Sequence, residues 1–247
     1  MFKYSELKEF LEYANRQYLI TTLGSWDGSN AIILRHDIDL DIRAAYNLFQ
    51  IEKDIGLHSS FFVLMGSTTY NPLSTENRIL LKEISTNGFE IGVHFDPSAY
   101  NIDDSGLKDK LDIEANILSD IIGENVLSVS LHNPSIRGNY PLFEGYYNAY
   151  DPQIFGKDRY LSDSLMKFPE DIYEFSEKAL SIPIQILLHP MHYTMEGFGY
   201  PGIFSRFLQD FCRNIDNIFK VNPTFNASIK RGTFSFISKQ FKADYKL

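Results

Sequence analysis

Cysteine is almost missing: the 247-residue chain carries one, Cys212, which excludes an internal disulfide framework and a cysteine-based zinc site. It falls in an apolar helical pattern and reads as buried filler. Basic residues are also scarce, 23 against 32 acidic ones for a net charge of −9. No Lys/Arg run is dense enough to neutralise a stretch of phosphates, so nucleic acid is not an expected partner. Apolar runs never approach the roughly 20 residues that span a bilayer, so no transmembrane segment is expected. The opening MFKYSELKEFLEYANRQYLI is charged throughout and lacks the apolar stretch and small-residue cleavage site of a signal peptide. The expectation is a soluble, cytoplasmic protein. What the chain does have is core material, with 44% hydrophobic and 15% aromatic residues, enough for one large domain.

The periodicity alternates along the chain. Leu7, Phe10, Leu11 and Ala14 have the spacing of a helix with one buried face. AIILRHDID then starts as a buried strand and turns charged at its end. A helix on Ala45, Leu48, Ile51 and Ile55, stopped by Gly56, leads to the strand HSSFFVLM. The pattern continues with a helix over 75–87, strand FEIGVH, a helix over 106–122 and strand VLSVSLH. Residues 133–170 are rich in Asn, Pro, Gly, Tyr and Asp, which predicts long loops over a site. Strand IQILLH and a helix over 203–219 follow, and the tail from Thr233 reads as a strand. Strands alternating with helices imply an α/β fold around a parallel sheet.

Four apolar strands end in histidine or aspartate. Asp37 and Asp39 close the first, His94 and Asp96 the next, His132 the third and His189 the fourth. In a parallel α/β sheet the carboxyl ends of the strands gather on one face, so these residues should converge. One histidine at a strand end is ordinarily a hydrogen-bonded structural residue; three beside an Asp-x-Asp form a metal-ligand set. Asp41 can cap the following helix, which leaves Asp37 and Asp39 free. His36 falls on the opposite side of its strand and His58 begins a strand, so both read as structural. His192, three residues beyond His189, stays unassigned.

The motif order resembles the polysaccharide deacetylase superfamily (NodB-like, carbohydrate esterase family 4), in its divergent branch whose first motif reads RHDVD. LRHDIDLD is similar to the first motif, HSSFFVLM followed by YN to the second strand, and GFEIGVHFD to the motif with a ligand histidine. SLHNPS, YLSDS and ILLHP are similar to the remaining three. The resemblance covers roughly residues 31–192 and implies a distorted (β/α) barrel. Residues 1–30 would then be a helical extension and 193–247 a helix and tail completing a single domain.

The resemblance further implies a divalent metal, zinc first among several that suit such ligands, and hydrolysis of an N-acetyl or related amide on an amino sugar. By family position Asp37 is the general base, Asp39 and His94 are metal ligands, and His189 is the acid that protonates the departing nitrogen. The chain departs from the family in two ways. Ile38 separates the two aspartates, which leaves an exchange of their roles open, and Ser98 stands where a second ligand histidine is expected. His132 or Asp96 is then needed as the third ligand, with His132 alternatively orienting Asp37. Asp163 is a supporting or alternative ligand, and Asn133 and Tyr160 are candidates to bind the sugar. Tyr140, Tyr146, Tyr147 and Tyr150 offer stacking surfaces or loop packing. The expected substrate is nucleotide-linked, lipid-linked or an oligosaccharide. A silent domain that binds a glycan or protein, or a metal-free amide hydrolase, would use the same sequence differently.

Overall fold

The computed structural model describes residues 2–245. The chain divides into two compact units, residues 1–197 and 198–247. The first unit opens with α1 (Tyr4–Gln17), β1 (Ile20–Thr21), β2 (Ile32–Ile38), α2 (Ile42–Ile55) and β3 (Ser60–Val63). It continues through α3 (Thr75–Thr86), β4 (Glu90–Phe95), α4 (Asp104–Ile122), β5 (Ser128–Leu131), α5 (Pro134–Arg137) and β6 (Tyr147–Asn148). It ends with β7 (Tyr160–Ser162), α6 (Ile172–Ser176) and β8 (Ile184–Leu188).

Every strand pair is parallel, and the sheet runs β6-β5-β4-β3-β2-β8-β7. β3 joins β2 only from Arg35 onward, and the short β1 pairs with Ile32 and Ile33 below it. The sheet is curled: the Gln185 side chain, inside β8, donates to the Ala149 carbonyl just beyond β6, 2.9 Å away. β6 and β7 are not paired to each other among the described residues, so the barrel is distorted and open. Strands in such a sheet are covered on both faces, which is why they read as unbroken apolar runs; β2, β3, β5 and β8 are buried at every position.

Strand alternation divides β2 into two faces. His36 turns outward to α2, where its Nε2 lies 2.7 Å from Glu52, itself bonded by Ser59. Arg35 and Asp37 turn inward. The register places Asp37 beside Phe62, Phe62 beside Gly92, and His94 beside Ser130. Large and small residues alternate around this interior. A Cβ at Gly92 would lie 2.4 Å from the Phe62 ring and 2.9 Å from the Ser128 carbonyl, so glycine is required there for close packing. Glu90, one layer down, accepts from the Gly24 amide, Ser60 and Ser128.

Helix ends follow the sequence signals. Asp41 caps α2 by accepting from the Arg43 amide at 2.9 Å, and Gly56 closes it at φ 78°. With Asp41 committed to the cap, Asp39 is left at the strand mouth. The second unit contains α7 (Tyr200–Phe219), α8 (Pro223–Ser228) and α9 (Thr233–Tyr245). Thr233–Tyr245 is therefore a helix, which corrects the strand expectation. Phe234 and Ser238 share one helical face, and the Asp216 carboxylate receives both the Thr233 amide and its hydroxyl at the start of α9. Cys212 is buried.

Candidate metal centre

The carboxyl ends of β2, β4, β5 and β8 meet as the parallel topology requires. Asp39 Oδ1 lies 3.1 Å from His94 Nε2 and 3.6 Å from His132 Nδ1, and those two ring nitrogens are 3.1 Å apart. One ligand atom from each of the three residues falls within 4.8 Å of the others. His94 Nδ1 faces the Ser130 carbonyl at 3.3 Å, the contact that fixes its tautomer with the Nε2 lone pair aimed at the cluster. Two imidazole nitrogens and a carboxylate oxygen converging on one point need a proton or a cation between them. The donor set is one that divalent transition ions accept, so the residues fit a metal.

Electrostatics agree with that convergence. Burial alone would raise the Asp39 pKa, but hydrogen bonds from His132 and His94 and the charges of His94 and His189 hold it far below the usual carboxylate range. Burial would lower His94, and Asp37 and Asp39 together raise it instead.

Asp37 sits beneath, buried, with both oxygens held by Arg35 Nη1 at 2.6 and 2.7 Å. Ser130 Oγ donates to Asp37 Oδ2 at 3.1 Å and also accepts from Arg35. Arg35 is itself wholly buried, its guanidinium carbon 5.4 to 5.9 Å from the ring centres of Phe62, Tyr150 and Tyr160. The orienting cation for Asp37 thus comes from the same strand, and His132 is turned to Asp39. Sequence reasoning passed over Arg35; its signal was a full positive charge two residues before an aspartate in a strand that begins as an apolar run.

On the other side, His189 Nε2 points to Asp39 Oδ2 at 3.7 Å while its Nδ1 contacts Asp163 Oδ1 at 2.6 Å. Asp163 also receives the His189 backbone amide, and His192 Nδ1 lies 3.3 Å from its second oxygen. Burial would depress the His189 pKa, but Asp163, and then the charges of Asp39 and Asp37, lift it to about 9. Burial would raise Asp163, and His189 and His192 bring it below its ordinary value. His192, unassigned from sequence, therefore belongs to this group.

Asp96 is not part of the cluster. Its carboxylate accepts from the Ser98 amide and hydroxyl at 2.9 and 2.6 Å, capping the short turn after β4. Strand alternation stops at Phe95, so the face shared with His94 does not extend to Asp96. Ser98, at the expected second histidine, is occupied with the same turn.

Above these residues lies a pocket of about 270 Å³ lined by Asp37, Asp39, His94, His132 and His189. Asn133, in the left-handed region at φ 46°, reaches His132 Nε2 at 2.8 Å and forms part of the rim. Tyr140, Tyr150, Phe155 and Tyr160 make an aromatic wall, their ring centres 4.7 to 5.4 Å apart in successive pairs. Tyr146 instead bonds Asp112, and Tyr147 lines a separate cleft at the other end of the strands.

No protein-family model matches the sequence, and no curated protein matches it. Solved structures similar to it include a chitin deacetylase from the fungal pathogen Colletotrichum lindemuthianum. That similarity is 15% identity over 74% of this chain and 83% of that one, with a TM-score of 0.48. A family 4 pseudoenzyme from Bacillus anthracis is similar at 13% identity over 74% of this chain and 62% of its own, with a TM-score of 0.46. The polysaccharide deacetylase Bc1974 from Bacillus cereus is similar at 14% identity over 72% and 87%, with a TM-score of 0.42. The chain spans less than two thirds of the length of the pseudoenzyme structures. Several of the solved structures similar to this chain are described as carbohydrate esterase family 4 enzymes or pseudoenzymes.

Proposed function

We propose that the protein is a metal-dependent hydrolase that removes an N-acyl group, acetyl or formyl, from an amino sugar of a polysaccharide precursor in the cytoplasm. The observation that carries this reading is the convergence of Asp39, His94 and His132 between a clamped carboxylate and a carboxylate-backed histidine. A divalent ion held by these three residues, zinc first, would polarise the scissile carbonyl and make a water acidic enough to attack at neutral pH. Asp37 would accept a proton from the attacking water on a carboxylate oxygen, and Arg35 and Ser130 keep that carboxylate oriented. His189 delivers a proton from Nε2 to the departing nitrogen, and Asp163 keeps the ring charged and fixed. The aromatic wall gives a sugar ring a stacking surface, with Asn133 and Tyr160 beside it.

The test has two readouts, metal content and acid release from acetylated and formylated amino sugars, free and nucleotide-linked. The protein should hold about one divalent ion per chain. Asp39→Ala and His94→Ala should lose both metal and activity, whereas Asp37→Asn and His189→Ala should lose activity and keep the metal. Activity without metal would leave the metal-free hydrolase. A bound metal with no acid released would leave the silent glycan-binding domain.

A further inference from the structure

We infer that the helical segment from α7 to α9 forms a docking surface for an anionic lipid bilayer. Charge is distributed unevenly along the chain. Residues 198–247 carry eight Lys/Arg against three Asp/Glu, a net +5, while residues 1–197 carry 15 against 29, a net −14. Two of the three acids are already engaged internally, Asp210 with Arg213 at 2.6 Å and Asp216 with the start of α9. Lys220, Lys230, Arg231 and Lys239 have no ion-pair partner among the described residues, so the field of this unit is positive.

The same segment holds nine of the chain's 20 phenylalanines, yet in α7 only Ile203 and Cys212 are buried. Phe204, Leu208, Phe211 and Ile218 fall on one stripe of α7 by helical spacing and are 43%, 53%, 49% and 69% exposed. Phe219, the last residue of α7, and Val221 just beyond it are exposed as well, as are Phe234 and Ile237 on α9. Arg206, Arg213 and Lys220 recur every seven residues along the opposite side of α7. A Phe-rich face backed by cations is the composition of a helix that lies in a membrane interface. Among the described residues no helix is long and apolar enough to cross a membrane, so the contact is with the surface.

A bilayer suits these observations better than a second copy. Self-association through this face would be isologous and bring one +5 unit against another. A contact with the acidic unit of another copy would be heterologous and would grow with concentration. A fluid surface needs no matching groove, and anionic headgroups supply the missing counter-charge at roughly 1 kcal/mol per cation near the surface.

The full chain should co-sediment with vesicles of phosphatidylcholine and phosphatidylglycerol in equal parts, far less with phosphatidylcholine alone, and should be released by salt. Lys230→Gln with Arg231→Gln should weaken binding roughly 30-fold, the effect of two surface cations. Phe204→Ser with Phe211→Ser should abolish it. In Phe204→Trp the added emission should shift to the blue on the mixed vesicles. Metal content, read on the same samples, reports that the first unit is intact. Absence of binding to the mixed vesicles overturns the inference. So does binding that ignores lipid charge, or sedimentation that shows concentration-dependent assembly lost in the Phe204→Ser, Phe211→Ser variant.

Discussion

Arg35 and Asp37 are a buried ion pair whose worth lies in geometry. Breaking such a pair from one side leaves an uncompensated charge and costs about 3–5 kcal/mol. Arg35→Met should therefore lower stability by that order in chemical denaturation. Adding Asp37→Asn to it should recover most of the loss, because neither charge then remains buried. Activity should follow the other course, absent in the double variant as in Asp37→Asn alone. Recovery of activity with stability would show that Asp37 is not the base. Arg35→Lys keeps the charge but loses the planar guanidinium held among the Phe62, Tyr150 and Tyr160 rings, so it should be folded and slow, with the loss in kcat and little change in KM.

The same residue scale carries the pH dependence of the metal-free protein. His189 is raised to about 9 from an ordinary 6.5. Its contribution to stability is therefore complete below about 6.5 and is lost as pH rises through about 9. Asp163, held below its ordinary value, contributes in the opposite sense: its stabilisation is present above the normal carboxylate range and lost on acidification. Thermal melts of apoprotein should fall on both sides of that window. In His189→Ala the alkaline fall should shrink, and an unchanged alkaline limb would remove His189 as its cause.

At the scale of elements, the central strands pack closely because β4 contributes glycine where β3 contributes phenylalanine. Gly92→Ala puts a methyl group into the Phe62 ring and near a backbone carbonyl, so overpacking should cost roughly 1–3 kcal/mol in urea unfolding. Phe62→Leu combined with it should recover part of that loss, and simple additivity of the two would show that the ring is not the obstacle. Elements were legible where periodicity is strong. The helices on Leu7, Ala45 and Leu107 and the apolar strands lie where their spacing put them, and Gly56 and Gly123 end helices in the left-handed region. The tail was not legible. FSFIS alternates like a strand, yet Asp216 seats the start of a helix there from 17 residues away. Of the two alternatives for the third ligand, Asp96 has its side chain bonded locally, capping the next turn, which the strand pattern alone does not reveal.

At the scale of the molecule, the candidate site was legible as a set because parallel topology brings strand ends together whatever their separation in sequence. Its supports were not. Ser130 and Arg35 lie inside apolar strands, and only the curl of the sheet shows that they meet at Asp37. That topology also makes the centre a clasp, since Asp39 and His132 follow β2 and β5 and His94 lies in β4. An ion bound only by the folded state stabilises it by mass action, about 4 kcal/mol at a thousandfold excess over Kd. Saturating zinc should therefore raise the melting temperature by several degrees, a domain of this size shifting roughly 2–4 °C per kcal/mol. His132→Ala should largely abolish the rise, and His192→Ala, which removes a contact to Asp163 and no member of the clasp, should keep it. An equal response in both variants would show that His132 is not a ligand and that the metal is held elsewhere.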